Sequence, residues 1–191
     1  MNRRRLLVAV PLLALVPTRA SAQADESAWA ALASGGCAVL LRHARTEPGV
    51  GDPPGFRLDD CATQRNLSAD GRADARRFGE EMARRGVAID EVLSSRWCRC
   101  QETARLAFPR HEVRVLEALN SFFADGSTAQ AQTEALRQYL ARQRGARRIV
   151  LVTHMVNIAA LTGQSVVMGE ALLVRLGATG AGDVLGRLRV A

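Results

Sequence analysis

Ile149-Val150-Leu151-Val152, running into Thr153-His154, is the stretch that decides the fold. Four apolar residues in a row, three of them β-branched, have the length and composition of a strand buried on both faces. A second such run, Cys37-Ala38-Val39-Leu40-Leu41, ends on Arg42-His43. Val92-Leu93 ends in Ser94-Ser95, and Val113 to Leu116 makes a further short strand. Helical patterns lie between them. Glu26 to Ser34 is closed by Gly35-Gly36, and Trp97 to Ala107 follows the Ser94-Ser95 strand. Ser68 can cap a helix with Ala75, Phe78 and Met82 on one face, stopping at Gly86. Ser127 or Thr128 starts another, with Leu136, Tyr139 and Leu140 on its apolar side. The tail past Gly163 holds short β-like runs at Ser165 to Met168, Leu172 to Arg175 and Val184 to Val190. Alternating unbroken strands and helices predict one α/β domain, a three-layer α/β/α sandwich around a mainly parallel sheet.

The N-terminus reads differently. Asn2-Arg3-Arg4-Arg5 is basic, Leu6 to Val16 is apolar but for Pro11, and Ala20-Ser21-Ala22 has the small-x-small spacing of a cleavage site. That layout predicts a secretory signal over 1–22 and a mature domain over 23–191, periplasmic or secreted, with no stable membrane anchor after cleavage. The apolar run is shorter than the roughly 20 residues a membrane-spanning helix needs. The leader carries Arg3, Arg4, Arg5 and Arg19 and no acidic residue, so the formal net charge of +7 falls to +3 without it. The remaining arginines are scattered along helices with no dense basic block, which argues against a nucleic-acid partner.

Export would place Cys37, Cys61, Cys98 and Cys100 in an oxidising compartment, where at least one disulfide is expected. Four cysteines allow three full pairings and the spacing does not choose among them. Cys61 with Cys98 is only marginally ahead of its competitors. Cys98-Arg99-Cys100 has no second close pair, so no metal or cofactor is expected.

The chemistry gathers at the strand ends. In an open parallel sheet the carboxyl ends of the strands line the ligand crevice. Arg42-His43, Ser94-Ser95 just before Arg99, and Thr153-His154 would therefore meet at one edge, although they are spread over some 110 residues of chain. Only three histidines occur, and two of them are here; His111, after Pro109-Arg110, reads as an exposed bystander. Guanidinium forks grip phosphate oxygens and offset their charge. They also disfavour protonation of a neighbouring imidazole, leaving it nucleophilic near neutral pH. The segment Glu47 to Leu58 is rich in proline and glycine and is read as a loop over the pocket that sets specificity.

At these residues the chain resembles the histidine phosphatase superfamily, with its phosphoglycerate-mutase-like fold. The family opens with strand-Arg-His-Gly and a following Thr, here Leu41-Arg42-His43-Ala44-Arg45-Thr46. Its second segment, Ser-Ser-x-x-x-Arg-x-x-x-Thr-Ala, is matched by Ser94 to Ala104, and its strand-Thr/Ser-His by Val152-Thr153-His154. Leu67-Ser68-Ala69-Asp70-Gly71 is similar to the family's first long helix start. The resemblance runs from about Gly36 to Leu161. It implies a metal-independent phosphomonoester hydrolase in which His43 becomes phosphohistidine inside a pocket of Arg42, Arg99 and His154, with Arg65 and Thr46 as further substrate contacts. The partner implied is a small phosphorylated molecule, with sugar phosphates among the candidates. Among small exported members, the lipopolysaccharide core heptose phosphatases are most similar in size and motif style.

Two departures stand out. Ala44 replaces the glycine after the histidine. The mutase-type glutamate acid, expected after the third strand, has no match in Leu119-Asn120-Ser121-Phe122-Phe123-Ala124-Asp125-Gly126. Glu117 falls slightly early and Asp125 slightly late. Asp125 is taken as the candidate acid because a glycine-bounded loop could bring it to the pocket. The missing acid also motivates a rival reading, a non-catalytic periplasmic module that binds phosphate or a phosphorylated sugar.

Overall fold

The computed structural model describes residues 19–178 and 182–190. Apart from the start of the first helix, the expected leader over 1–22 lies outside the described residues. Six strands among these residues form one sheet: β1 (Cys37–Arg42), β2 (Glu91–Ser94), β3 (Val113–Val115), β4 (Arg148–Thr153), β5 (Ala171–Arg175) and β6 (Val184–Leu188). Their order is β3-β2-β4-β1-β5-β6. β3, β2, β4 and β1 run parallel, while β5 and β6 are added antiparallel. The mainly parallel sheet is therefore as expected, with an antiparallel pair at one edge.

Among the described residues five α-helices cover it: α1 (Arg19–Ser34), α2 (Ala69–Arg84), α3 (Cys98–Ala107), α4 (Ala129–Arg142) and α5 (Met155–Thr162). Side chains of a strand alternate between faces, and the core divides accordingly. Val39, Leu41, Val150 and Val152 pack with Leu32 of α1, Phe78 and Met82 of α2 and Ala104 of α3. Ala38, Leu40, Ile149 and Leu151 pack on the other side with Leu136 and Leu140 of α4 and Ile158 of α5. The fold is the three-layer α/β/α sandwich.

Several boundaries move for local reasons. α1 starts earlier than Glu26, and Trp97 is the N-cap of α3 rather than its first turn. Ser68 caps α2 as read, its hydroxyl accepting from the Gly71 amide. Gly71 could not be another residue: a Cβ there would stand 1.8 Å from the Arg45 carbonyl oxygen. The run Ser165 to Met168 is not a strand. Its backbone is used otherwise: the Val166 carbonyl accepts from the Arg42 guanidinium, and the Gly169 amide after it donates to the Arg42 and His43 carbonyls. His111 is half-buried rather than exposed, and its Nε2 donates to the Ile89 carbonyl on the side of α3 away from the strand ends.

Candidate active site

The register of the parallel strands assembles the site. Arg42 stands beside Thr153, and Ser94 beside Val152, so β1, β2 and β4 end level with one another. His43, Ser95 and His154 are the next residues of the three strands. The His43 amide donates to the Thr153 carbonyl, continuing the ladder one step beyond the strand.

His43 is buried, and its Nδ1 lies 2.9 Å from the Ala44 carbonyl oxygen. A carbonyl only accepts, so Nδ1 carries the proton and Nε2 presents a lone pair. Burial first, then the Arg99 charge, with Arg42 and Arg65 behind it, lowers the His43 pKa to about 3 against the partial support of the Ala44 bond. The imidazole is thus neutral at pH 7. His154 is buried too, its ring centroid 5.4 Å from that of His43. Its Nε2 is engaged by the Ser95 hydroxyl at 2.9 Å and the Cys100 thiol at 3.4 Å, which leaves Nδ1 for a ligand. Burial, followed by His43 and the three arginines, holds His154 well below its ordinary pKa.

Three guanidinium groups line the same cavity, those of Arg42, Arg65 and Arg99. Each has its Nε–H buried without an acceptor. Arg42 is pinned by the Val166 carbonyl at 2.8 Å and Arg65 by the Gly49 carbonyl at 2.5 Å. Arg99 enters from the first turn of α3, a helix whose dipole also favours an anion at that end. Thr103, one turn further on, donates to the Arg99 carbonyl and accepts from the Ala44 amide, which ties α3 to the end of β1. The methyl of Ala44, where the resemblance leads one to expect glycine, is buried against Leu67 and Ala75.

Asp52 is the residue that sequence reasoning missed. It sits in the expected loop, with its side chain almost wholly buried. Its carboxylate accepts from Arg99 at 2.6 and 3.2 Å, from the Trp97 indole at 2.9 Å and from the Arg65 amide at 3.1 Å. Burial alone would raise its pKa, but these donors and the Arg99 charge lower it, so Asp52 is ionised. The cavity therefore holds three cations, one anion and two neutral imidazoles, a net charge that matches a phosphate dianion. The only hint in the sequence is a lone acid in Gly51-Asp52-Pro53-Pro54, which nothing distinguishes from an ordinary turn residue.

The other expected contacts are placed elsewhere. Thr46 is buried beside Met168 and does not line the cavity. Asp125 is exposed and caps the turn that starts at Gly126, its side chain accepting from the Ser127 amide. That bond holds its carboxyl below its ordinary pKa, and neither Asp125 nor Glu117 lines the cavity. The loop that was to bring Asp125 inward brings Ser121, Phe123 and Ala124 instead. Cys61 and Cys98 form the one disulfide among the described residues, joining the far end of the covering loop to the start of α3; Cys37 and Cys100 are free and buried. Among the described residues no three His, Cys, Asp or Glu side chains come together as metal ligands.

A neutral histidine with a free Nε2, ringed by arginines at the edge of a parallel sheet, defines an anion pocket with a nucleophile built into it. Residues 38–125 match the model of the Histidine phosphatase superfamily (branch 1). No curated protein matches the chain. Solved structures match its fold. The structure assigned as the phosphohistidine phosphatase SixA from Agrobacterium tumefaciens aligns with a TM-score of 0.56 at 20% identity, covering 82% of this chain and 99% of that one. The protein histidine phosphatase SixA complexed with tungstate gives 0.55 at 16% identity, covering 80% and 96%. The alpha-ribazole phosphatase from Shigella flexneri gives 0.53 at 20%, covering 81% and 95%.

Proposed function

We propose that the protein hydrolyses phosphate monoesters through a phosphohistidine at His43. The observation that carries this reading is the neutral His43, its Nε2 lone pair free, in a cavity shared with three guanidinium groups whose Nε–H donors lack acceptors. The Nε2 lone pair attacks phosphorus, the ester P–O bond breaks, and the alcohol departs with a proton drawn from solvent. Water then attacks the phosphohistidine, the P–N bond breaks, and inorganic phosphate leaves. Arg42, Arg65 and Arg99 offset the charge on the transferring group, which is worth most where water is excluded. His154 Nδ1 faces the same charge. Relatives of this fold named as phosphatases, one of them with bound tungstate, support the reading.

Asp52 is held ionised and no other carboxyl among the described residues lines the cavity, which favours the rival binding module to that extent. Steady-state turnover of 4-nitrophenyl phosphate separates the two. Chelator-resistant turnover that falls by several orders of magnitude in His43→Ala is expected of a covalent nucleophile. Phosphate binding without turnover would leave the binding module. We also propose export to the periplasm or beyond, supported by the layout of Asn2 to Ala22 and by a Cys61–Cys98 bond suited to an oxidising compartment. Intact mass of the secreted form should begin at Gln23; a mass that includes Met1 would overturn it.

A further inference from the structure

Beyond the arginines and Asp52, the cavity changes character. Its volume is about 490 Å³, and its outer wall is made by Val50, Phe56, Phe123, Met155, Val156 and Met168. Ser121 is the one uncharged polar side chain on that wall, and its hydroxyl already accepts from the Phe123 amide. Val50 is 88% exposed and Phe123 57% exposed, two of only four large hydrophobic residues so exposed among those described. They stand on different loops that meet at the mouth, where a Cβ on Gly51 would lie 3.9 Å from Phe123 Cε1. Apolar side chains left in water at the rim of a charged cavity mark the place where a ligand covers them.

We propose that the alcohol part of the substrate is apolar, an aromatic or alkyl group seated against Val50 and Phe123 while its phosphate occupies the arginine cradle. The assignment of the cradle rests on the phosphatase reading; the apolar preference does not. A ring entering here buries area on both partners and meets the Phe123 ring. A sugar would bring several hydroxyls into a wall with one engaged side-chain hydroxyl, and each desolvated hydroxyl without a partner counts against binding. The wall therefore selects against the sugar phosphates to which the family resemblance points.

The test compares 3-phenylpropyl phosphate with ribose 5-phosphate on the full chain. Both are esters of primary alcohols, so leaving-group chemistry contributes little to the difference. The phenylpropyl ester should have a kcat/KM at least about tenfold higher, the scale on which an apolar pocket discriminates. Phe123→Ser and Val50→Ser should each narrow that ratio, mainly through KM. Calorimetric titration of His43→Ala with both esters reads the same preference without turnover. Turnover of both esters with no preference, or a preference that both serine variants leave intact, would overturn the apolar assignment and leave the phosphatase reading standing. Binding that favours the phenylpropyl ester with no turnover by the wild type would overturn the phosphatase reading and leave this one.

Discussion

Arg42, His43 and His154 emerge from strands packed on both faces, whereas Val50, Asp52 and Phe123 stand on two loops that meet over the same cavity. The first group is fixed by a ladder that pairs Arg42 with Thr153 and by core residues with no exposure at all. The second is held by side-chain bonds and a disulfide rather than a ladder: the Asp52 carboxylate accepts from Arg99, the Trp97 indole and the Arg65 amide, the Gly49 carbonyl accepts from Arg65, and Cys61 is bonded to Cys98. The cradle can thus keep one chemistry while the rim varies without disturbing the core.

Breaking the cradle should have the largest effect. Arg99→Ala removes one of the three positive charges that share the cavity with His43, and kcat/KM should fall by about 10²–10³-fold. It also strands the buried Asp52 carboxylate, a loss of roughly 3–5 kcal/mol by analogy with other broken buried pairs. Steady-state kinetics together with urea unfolding would show both losses. A variant of normal activity would contradict the role given to Arg99.

Acid should weaken the cradle next. His43 and His154 have pKa values lowered by burial and by the arginines, whereas in the unfolded chain they titrate near 6.5. Below that pH the unfolded state binds protons that the folded state refuses, so stability falls as pH falls. The slope is about 1.4 kcal/mol per pH unit for each histidine, and His43 stops contributing near pH 3. Above about pH 7 neither group matters. Urea midpoints that stay constant between pH 7 and 4 would mean that the histidines are not held neutral.

The contrast between cradle and rim also explains what could be read from the sequence. Strand ends are legible because apolar runs locate the strands and parallel packing aligns them, so His43, Arg99 and His154 could be brought together without coordinates. Thr103 has a local role of this kind: it bonds the end of β1 to α3. Loops carry no such periodicity. The placement of Asp52 and Phe123 in the cavity, and of Asp125 and Thr46 outside it, depends on turn geometry and on which side chain satisfies which amide. The same holds for Ser165 to Met168, whose apolar residues suit a strand while the Val166 carbonyl serves Arg42.

The smallest effects are expected outside both regions. Asp125→Asn and Glu117→Gln should each change the turnover of alkyl and aryl phosphates by less than about twofold, as exposed surface substitutions commonly do. General acid help is typically worth about 10²–10⁴-fold. A large, alkyl-selective loss in either variant would therefore reveal a donor that reaches the cavity from its exposed position and would blur the line between cradle and surface.

In the proposed reaction the phosphoryl group passes through His43. Rapid quench of the wild-type enzyme with 4-nitrophenyl phosphate, followed by peptide mass mapping, tests it most directly. An acid-labile, alkali-stable phosphoryl adduct is expected on the peptide carrying His43, formed and lost at rates compatible with turnover and absent from His43→Ala. Turnover that persists at a near-normal rate in His43→Ala, with no adduct on that peptide, would contradict it.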